Sequence, residues 1–341
     1  MRRIAFVFLL LVATTAFAQY DDTITVSRVV FDVRVTTASG DPITDLTPAD
    51  FEVSLGGNRA TVASATWTEE GANAEERPYV DENEPGVIRT RVEPRTIVLL
   101  VQTDFGRAAA RVRGQMKFRT YAEELIQSFE PRDRVAVFSF DSHLKFRCDL
   151  STDREENIEA LRNTILIDEP PPPREVPAPS LASQLDRNAM KRAVNTEEAL
   201  TLIGNALAHI DGPKTLLLLG WGLGDRWSRI VYMLDDWKEA RKALLDARVS
   251  IVALNTSLTG GGALAHGMAM ASKQTGGMYA NAAGGPRRAV NRVQRTLHGR
   301  YELEIVPSKQ LEPGEHSIAV RVNRRGANVL APGSITISYA D

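Results

Sequence analysis

The chain has little cysteine: Cys148 is the only one in 341 residues. A single thiol excludes an intramolecular disulfide, so the fold has to be stabilised by its core and its hydrogen bonds. Because no basic partner that would form a thiolate can be identified, we interpret Cys148 as a small buried side chain near a strand end and not as a nucleophile.

Charge of one sign is also lacking, since 41 Lys and Arg face 43 Asp and Glu, a formal net charge of −2. Without an overall basic field, the composition does not point to a nucleic-acid partner. Hydrophobic residues make up 43% of the chain and charged residues 25%, as in folded, water-soluble proteins. At about 150 residues per domain, the length predicts about two domains.

The N-terminus is composed differently from the rest of the chain. Two arginines precede the apolar residues 4–12, and Ala16-Phe17-Ala18 follows. A positive start, a short apolar centre and a small-x-small end are typical of a secretory signal peptide. We therefore expect residues 1–18 to be cleaved near Gln19, the protein to be exported (periplasmic or secreted), and no membrane span to remain. An uncleaved N-terminal anchor is the alternative.

Apolar residues alternate with polar ones at both ends of the mature chain, which predicts an N-terminal β module at 19–68 and a C-terminal β module at 300–341. Thr47-Pro48-Ala49-Asp50 predicts one helical turn inside the first. About three strands with one apolar face are marginally stable alone. We therefore expect the two modules to form one β-sandwich, with the central domain inserted between its strands.

The central region, 94–299, alternates strands with amphipathic helices. Thr96 to Val101 is an uninterrupted apolar run of strand length, and a helix follows with an apolar stripe from Phe118 to Phe129. Thr152-x-x-Glu155 predicts a capped helix start, and apolar spacing from Ile230 to Leu244 predicts a long helix. The alternation predicts an α/β domain built on a doubly wound, mainly parallel sheet of about six strands.

Two stretches interrupt these patterns. Residues 69–93 are rich in carboxylates and contain two prolines, which predicts an acidic, solvated linker. Prolines also accumulate in 170–185, which predicts a polyproline-like loop. Docking of a partner onto that loop is an open alternative to a purely connecting role.

Several segments, in the expected order, resemble a known family. Thr96-Ile-Val-Leu-Leu-Val-Gln-Thr-Asp-Phe-Gly106, Pro131-Arg-Asp-Arg-Val-Ala-Val-Phe-Ser-Phe140 and Gln274-Thr-Gly-Gly-Met-Tyr279 are similar to segments of von Willebrand factor A domains. Leu46-Thr-Pro-Ala-Asp-Phe-Glu-Val53 and Gly299-Arg-Tyr-Glu-Leu303 are similar to flanking segments of VWFA-related, acidobacterial-type exported proteins. The resemblance covers most of the mature chain and implies a von Willebrand A, Rossmann-like fold.

The resemblance also implies where a metal would bind. Metal-dependent A domains use an Asp-x-Ser-x-Ser motif, a threonine and a further Asp, which are oxygen ligands for a hard cation. Here Gln102, Asp104 and Gly106 stand at the motif positions, Thr201 matches the threonine, and Trp221 replaces the last Asp. With two carboxylates lost, the site is degenerate, so we expect no cofactor and no Mg²⁺.

Three alternatives involve the same region. A shifted metal site around Asp104, Thr201 and Asp225 would make the chain a metal-dependent adhesion domain. Gly220-x-Gly222-x-Gly224 is superficially similar to a dinucleotide loop, but it lacks the G-x-G-x-x-G spacing and follows the fourth strand. A hydrolase is the third alternative, although no Ser-His-Asp or Cys-His set can be nominated.

The sequence thus predicts a non-enzymatic, adhesion-type module that binds an unidentified protein partner through the loops above its parallel sheet. Asp104, Trp221, Asp225 and Trp227 are the candidate contacts. Large aromatic residues near the carboxyl edge of a parallel sheet are plausible contact residues, with core packing as the alternative for both tryptophans.

Overall fold

The computed structural model describes residues 28–70, 77–80, 88–91, 94–103, 109–164, 179–227, 230–258 and 264–337, with the backbone alone for 77–80, 88–91, 226–227 and 230–231. The predicted signal peptide, most of the acidic linker and residues 170–178 of the proline-rich stretch lie outside these ranges. No helix among the described residues is long and apolar enough to cross a membrane.

The chain forms strands and helices in the following order. The elements are β1 (Val29–Thr36), β2 (Phe51–Leu55), β3 (Asn58–Glu69), β4 (Arg77–Val80), β5 (Ile88–Arg91), β6 (Thr96–Gln102), α1 (Ala109–Gln127), β7 (Arg134–Phe140), β8 (Leu144–Ser151), α2 (Arg154–Asn163), α3 (Arg187–Arg192), α4 (Thr196–Leu207), β9 (Lys214–Gly220), β10 (Asp225–Trp227), β11 (Ile230–Tyr232), α5 (Asp236–Asp246), β12 (Val249–Asn255), α6 (Ala265–Gln274), β13 (Tyr279–Asn281), α7 (Pro286–Thr296), β14 (Gly299–Pro307), β15 (Gly314–Val322), β16 (Asn328–Leu330) and β17 (Ser334–Ile337). Pro48–Asp50 forms a one-turn 3-10 helix, as the sequence predicts, and Ala182–Gln184 forms another.

The central region is a mixed α/β domain. Its six-stranded sheet has the order β13-β12-β9-β6-β7-β8, and every neighbouring pair is parallel except β7 and β8. α1, α2 and α7 pack on one face and α3 to α6 on the other, so the central strands are buried throughout. The carboxyl ends of five parallel strands meet at one edge of the sheet, here called the upper edge.

Two local predictions in this domain were wrong. Asp225–Trp227 and Ile230–Tyr232 pair as an antiparallel hairpin, and α5 begins only at Asp236. Apolar spacing alone does not separate a short strand followed by a helix from one long helix. α2 is capped by Asp153 instead of Thr152: the Asp153 carboxylate accepts from the amides of Glu155 and Glu156 at 2.9 and 3.3 Å.

The strands at the two ends of the chain share one antiparallel sheet, with the order β16-β1-β14-β3-β2-β15-β17. β14 lies between β1 and β3, so that Tyr301 is opposite both Val33 and Trp67. The Tyr301 ring is fully buried, and its hydroxyl donates to the Ile43 carbonyl at 3.0 Å and accepts from the Leu46 amide at 2.9 Å. One hydrophobic cluster therefore contains side chains from both ends of the sequence.

The described strands of the two modules form one curled sheet, and the sandwich expected from the sequence is not confirmed. The C-terminal strands fill free hydrogen-bonding edges of the N-terminal strands, and this pairing leaves one continuous ladder. β16 and β17 lie at opposite ends of the sheet but are joined by only residues 331–333. Because such a short connection spans about 10 Å, the sheet has to curl around its core.

A buried ionic network, here called the clamp, joins this sheet to the α/β domain. Arg34, Glu70 and Arg300 are each 7–8% exposed, and Glu70 accepts from both guanidinium groups. Arg300 also donates to Asp32 at 2.8 Å, and Asp32 accepts from Arg248 at the start of β12, again at 2.8 Å. The clamp therefore connects β1, β3 and β14 to the lower end of the parallel sheet.

Candidate functional site

Gln102, the last residue of β6, is the centre of the upper edge and is 4% exposed. Its Oε1 accepts from the amides of Trp221 and Gly222 at 2.9 and 3.3 Å. Its Nε2 donates to the Gly222 carbonyl at 2.8 Å and to the Thr196 hydroxyl at 3.1 Å. The two backbone amides fix the orientation of the carboxamide, because only its oxygen can accept from them. One neutral side chain thus joins the ends of β6 and β9 to the start of α4.

The glycines that follow β9 are required by close packing. A Cβ on Gly220 would lie 2.0 Å from Oε1 of Gln102, and one on Gly222 would lie 2.2 Å from Cβ of Leu264. Gly224 has φ +79° and would place a Cβ 2.4 Å from the Tyr232 carbonyl oxygen. These contacts account for the three-glycine pattern without a nucleotide.

The start of α4 contributes a buried carboxyl group to the site. Glu197 is 2% exposed, and its Oε1 accepts from the Gly224 amide at 2.7 Å. Burial raises the pKa of Glu197, and the nearby Asp236 and Asp225 add to that rise, whereas the Gly224 hydrogen bond opposes it. Glu197 therefore holds the end of the loop after β9, two residues beyond the amides that Gln102 holds.

Because the pKa of Glu197 is raised in the folded chain, folding retains a proton that the unfolded chain releases as the pH rises above the ordinary glutamate range. The free energy of unfolding therefore falls through that pH window. Glu197→Gln keeps an oxygen for the Gly224 amide and removes the titration. We expect a flatter pH profile and higher stability above the window, measured by urea denaturation over a pH series. The exposed Glu239→Gln is the control, and an unchanged slope in Glu197→Gln would contradict this account.

Trp221 lies on the loop after β9, half-buried, with its ring beside the first turn of α1. The Arg111 guanidinium carbon is 4.8 Å from the ring centroid, a cation–π geometry. The backbone amide of Trp221 is held by Gln102, so the ring is positioned from two sides. An aromatic side chain restrained in this way at the rim of the upper edge needs little further ordering to bind a partner.

The loop after β12 completes the upper edge. The Thr256 hydroxyl donates to Oε1 of Gln115 at 2.7 Å and lies 3.1 Å from the Gly220 carbonyl oxygen. A Cβ on Gly114 would lie 2.0 Å from the Thr256 carbonyl oxygen, so α1 packs directly against this loop. These contacts fix the position of the helix that carries Arg111.

The predicted site residues are distributed as follows. Gln102 and Trp221 are in contact, whereas Asp104 and Gly106 lie outside the described residues. Thr201 is in the second turn of α4, where its hydroxyl donates to the Glu197 carbonyl at 3.1 Å. The threonine beside Gln102 is Thr196, the first residue of α4.

The two remaining candidate contacts lie on the hairpin after the glycine loop. Asp225 is exposed, and its Oδ2 accepts from the Tyr232 hydroxyl at 3.3 Å. Trp227 lies on β10, and only its backbone is described. Both residues therefore follow, in the chain, the loop 221–224 that Glu197 and Gln102 hold by hydrogen bonds.

Sequence reasoning missed Glu197 and Thr196. The signal that would have found them is the helix start itself: Asn195 caps α4 by accepting from the Glu198 amide at 2.8 Å, and Glu198 accepts from the Val194 amide at 2.9 Å. Recognising this reciprocal cap places Thr196 at the first position of the helix, pointing to the upper edge.

The groups around Gln102 do not suit a divalent cation. Both lone-pair directions of its oxygen are taken by backbone amides, and its NH₂ group faces the Thr196 hydroxyl that would otherwise be a ligand. Among the described residues, no three His, Cys, Asp or Glu side chains are grouped so that they could hold a metal ion. Around Gln102 itself, the described hydrogen bonds are those of a neutral carboxamide.

Comparison with known proteins gives similar structures only, since no family model and no curated protein matches the chain. Von Willebrand factor type A from Catenulispora acidiphila is 7% identical over 92% of this chain and 74% of that chain, with a TM-score of 0.41. The conserved hypothetical protein BatB from Bacteroides thetaiotaomicron is 12% identical over 59% and 98%, with a TM-score of 0.39.

A third similar structure is proximal thread matrix protein 1 from the mussel byssus with a zinc-occupied MIDAS motif. It is 13% identical over 60% of this chain and 47% of that chain, with a TM-score of 0.38. This chain thus spans about half the length of the mussel protein. With identities and TM-scores this low, the similarity carries no argument about binding. The strand order and helix layers described above establish the α/β fold class.

Proposed function

We propose that this chain is an exported protein with a von Willebrand A-like domain that binds a protein partner through its upper edge. It catalyses no reaction and needs no resident divalent cation. The mature N-terminus, read by mass spectrometry of protein recovered from the periplasm or medium, is expected near Gln19.

The observation that carries this proposal is the fourfold hydrogen bonding of Gln102. A metal-dependent edge would present carboxylates and leave a coordination position for a carboxylate of the partner. Here a neutral amide holds the loops together and positions the Trp221 ring, stacked on Arg111, at the rim. An aromatic side chain beside an arginine is a typical centre of a protein interface.

The shifted metal site around Asp104, Thr201 and Asp225 has less support. The Thr201 hydroxyl is engaged inside α4, one turn below the residue that contacts Gln102. Asp225 lies on the hairpin after the glycine loop. A site built from these groups would have to bring this hairpin carboxylate together with a threonine whose hydroxyl is already engaged inside α4.

The test is affinity capture with the full mature chain from the envelope and medium of the producing organism, with excess Mg²⁺ or with chelator. We expect the same partner in both conditions, loss of that partner with Trp221→Ala, and retention with the exposed Lys238→Ala. Melting curves of the chain with and without Mg²⁺ should superimpose. An ion that binds the folded chain and is present at a thousand times its Kd would raise the free energy of unfolding by about 4 kcal/mol. Capture that requires Mg²⁺, or survives Trp221→Ala, would overturn the proposal.

A further inference from the structure

α1 and α7 pack side by side and have far more positive charge than the chain as a whole. Together they contain eight cations and two carboxylates, whereas the chain has a net charge of −2. The cations are Arg111, Arg113, Lys117, Arg119, Arg287, Arg288, Arg292 and Arg295. A local excess of this size creates a positive field on one side of the molecule.

Both carboxylates of the two helices are already engaged. Glu123 accepts from Arg162 at 2.9 Å and is 3.6 Å from Arg119, and Glu124 pairs with Arg287 at 3.2 Å. Three exposed cations, Arg113, Lys117 and Arg288, make no ion pair with any residue that the structure describes. Their charge is therefore available to a partner.

The cations in the first turns of the two helices do not stabilise those helices through the helix dipole, unlike Arg295 in the last turn of α7. Neither described helix has an acidic residue in its first turn, and each has arginines near its N-terminal end. The N-terminal end of a helix carries partial positive charge, so cations there are unfavourable for helix stability. Stability of the isolated fold therefore does not explain this arrangement.

An exposed apolar pair lies beside the unpaired charges. Val112 and Met116 are one turn apart on α1, with 37% and 49% of their surfaces exposed. Arg113 and Lys117 are likewise one turn apart and adjacent in sequence to that pair, so the outer face of α1 has an apolar row and a basic row. The four side chains form the basic face.

We propose that the basic face, together with Arg288 on the neighbouring helix α7, is a docking surface for an acidic, amphipathic segment of a protein partner. Carboxylates of the segment would pair with Arg113, Lys117 and Arg288, and its apolar side chains would cover Val112 and Met116. A nucleic-acid backbone supplies charge without apolar side chains for that row. Membrane insertion uses larger apolar faces than one valine and one methionine. The surface shares no side chain with the Trp221–Arg111 contact, and the variants below distinguish failure of one proposal from failure of the other.

The experiment measures binding of the full mature chain to four probes by fluorescence anisotropy or co-sedimentation. The probes are a synthetic helical peptide with glutamate and leucine on one face, poly-glutamate, phosphatidylserine vesicles and single-stranded DNA. We expect the peptide to bind tightest and Arg113→Glu with Lys117→Glu to weaken it about tenfold or more, because the paired charges are reversed. The double variant Val112→Ser with Met116→Ser should bind the peptide more weakly and bind poly-glutamate as the unaltered chain does. All four positions are exposed, and melting curves verify folding.

The matched control is Arg187→Glu with Lys191→Glu, an exposed pair with the same spacing on α3, on the opposite face of the sheet. This control and Trp221→Ala should bind the peptide as the unaltered chain does. Absence of peptide binding, or binding that the α1 charge reversal leaves unchanged, would overturn the proposal. Tighter binding of vesicles or DNA would also overturn it, in favour of a lipid or nucleic-acid surface.

Discussion

Glu70→Ala is expected to lower the free energy of unfolding by about 3–5 kcal/mol, because it leaves two buried guanidinium groups without their shared carboxylate. Glu70 is 8% exposed and pairs with Arg34 and Arg300, which are 7% and 8% exposed. Arg34 already has a buried Nε without a hydrogen-bond partner, so it has little capacity to compensate. Urea denaturation followed by circular dichroism measures the loss.

The clamp also predicts which strands lose protection from amide exchange in Glu70→Ala. Glu70 follows β3, while Arg248 directly precedes β12 and Ser250 is its second residue, which contacts Arg34. We expect amide exchange in Glu70→Ala to increase first in β1, β3 and β14. The exposed Arg321→Ala on β15 is the control and should change stability by less than about 0.5 kcal/mol. A loss below about 1 kcal/mol in Glu70→Ala would show that the clamp stabilises little, as many exposed ion pairs do.

Gln102→Ala is expected to lower the free energy of unfolding by about 3 kcal/mol, since it leaves several buried backbone groups and a hydroxyl without partners. The affected groups are the amides of Trp221 and Gly222, the Gly222 carbonyl and the Thr196 hydroxyl. Added Mg²⁺ should not restore the loss. The variant should also release the Trp221 ring, seen as a change in tryptophan fluorescence.

Gln115→Ala is the graded control, because Gln115 is similarly buried but its side chain has a single hydrogen-bond partner among the described residues, the Thr256 hydroxyl. We expect a loss of about 1 kcal/mol there. Equal losses of unfolding free energy in Gln102→Ala and Gln115→Ala would mean that Gln102 contributes no more to stability than a buried glutamine with one hydrogen bond. Gln102→Glu keeps the shape and replaces the NH₂ donor by a charged oxygen facing the Gly222 carbonyl, so it should be at least as destabilising as Gln102→Ala.

The sequence predicted those strands and helices in which buried residues recur at a regular spacing. β6 is an uninterrupted apolar run, and the structure buries all of it between helices. Alternation at both ends of the chain predicted half-buried strands, and Tyr301 and Leu303 lie in the shared core. The hairpin at 225–232 was missed because three-residue strands are too short for their period to differ from that of a helix.

Some residues of the candidate site were likewise predicted from the sequence, and others were found only in the structure. The contact between Gln102 and the Trp221 amide joins two positions that the sequence had singled out together. Thr196 and Glu197 became visible only when α4 was placed against the loop after β9, because their roles depend on contacts between segments far apart in sequence. Likewise, the local pattern determines which residues of a strand are buried. Only the tertiary structure decided which other segments those residues pack against. The pairing of β1 and β3 with β14 depends on hydrogen bonds across more than two hundred residues, and a local pattern contains no information about that partner.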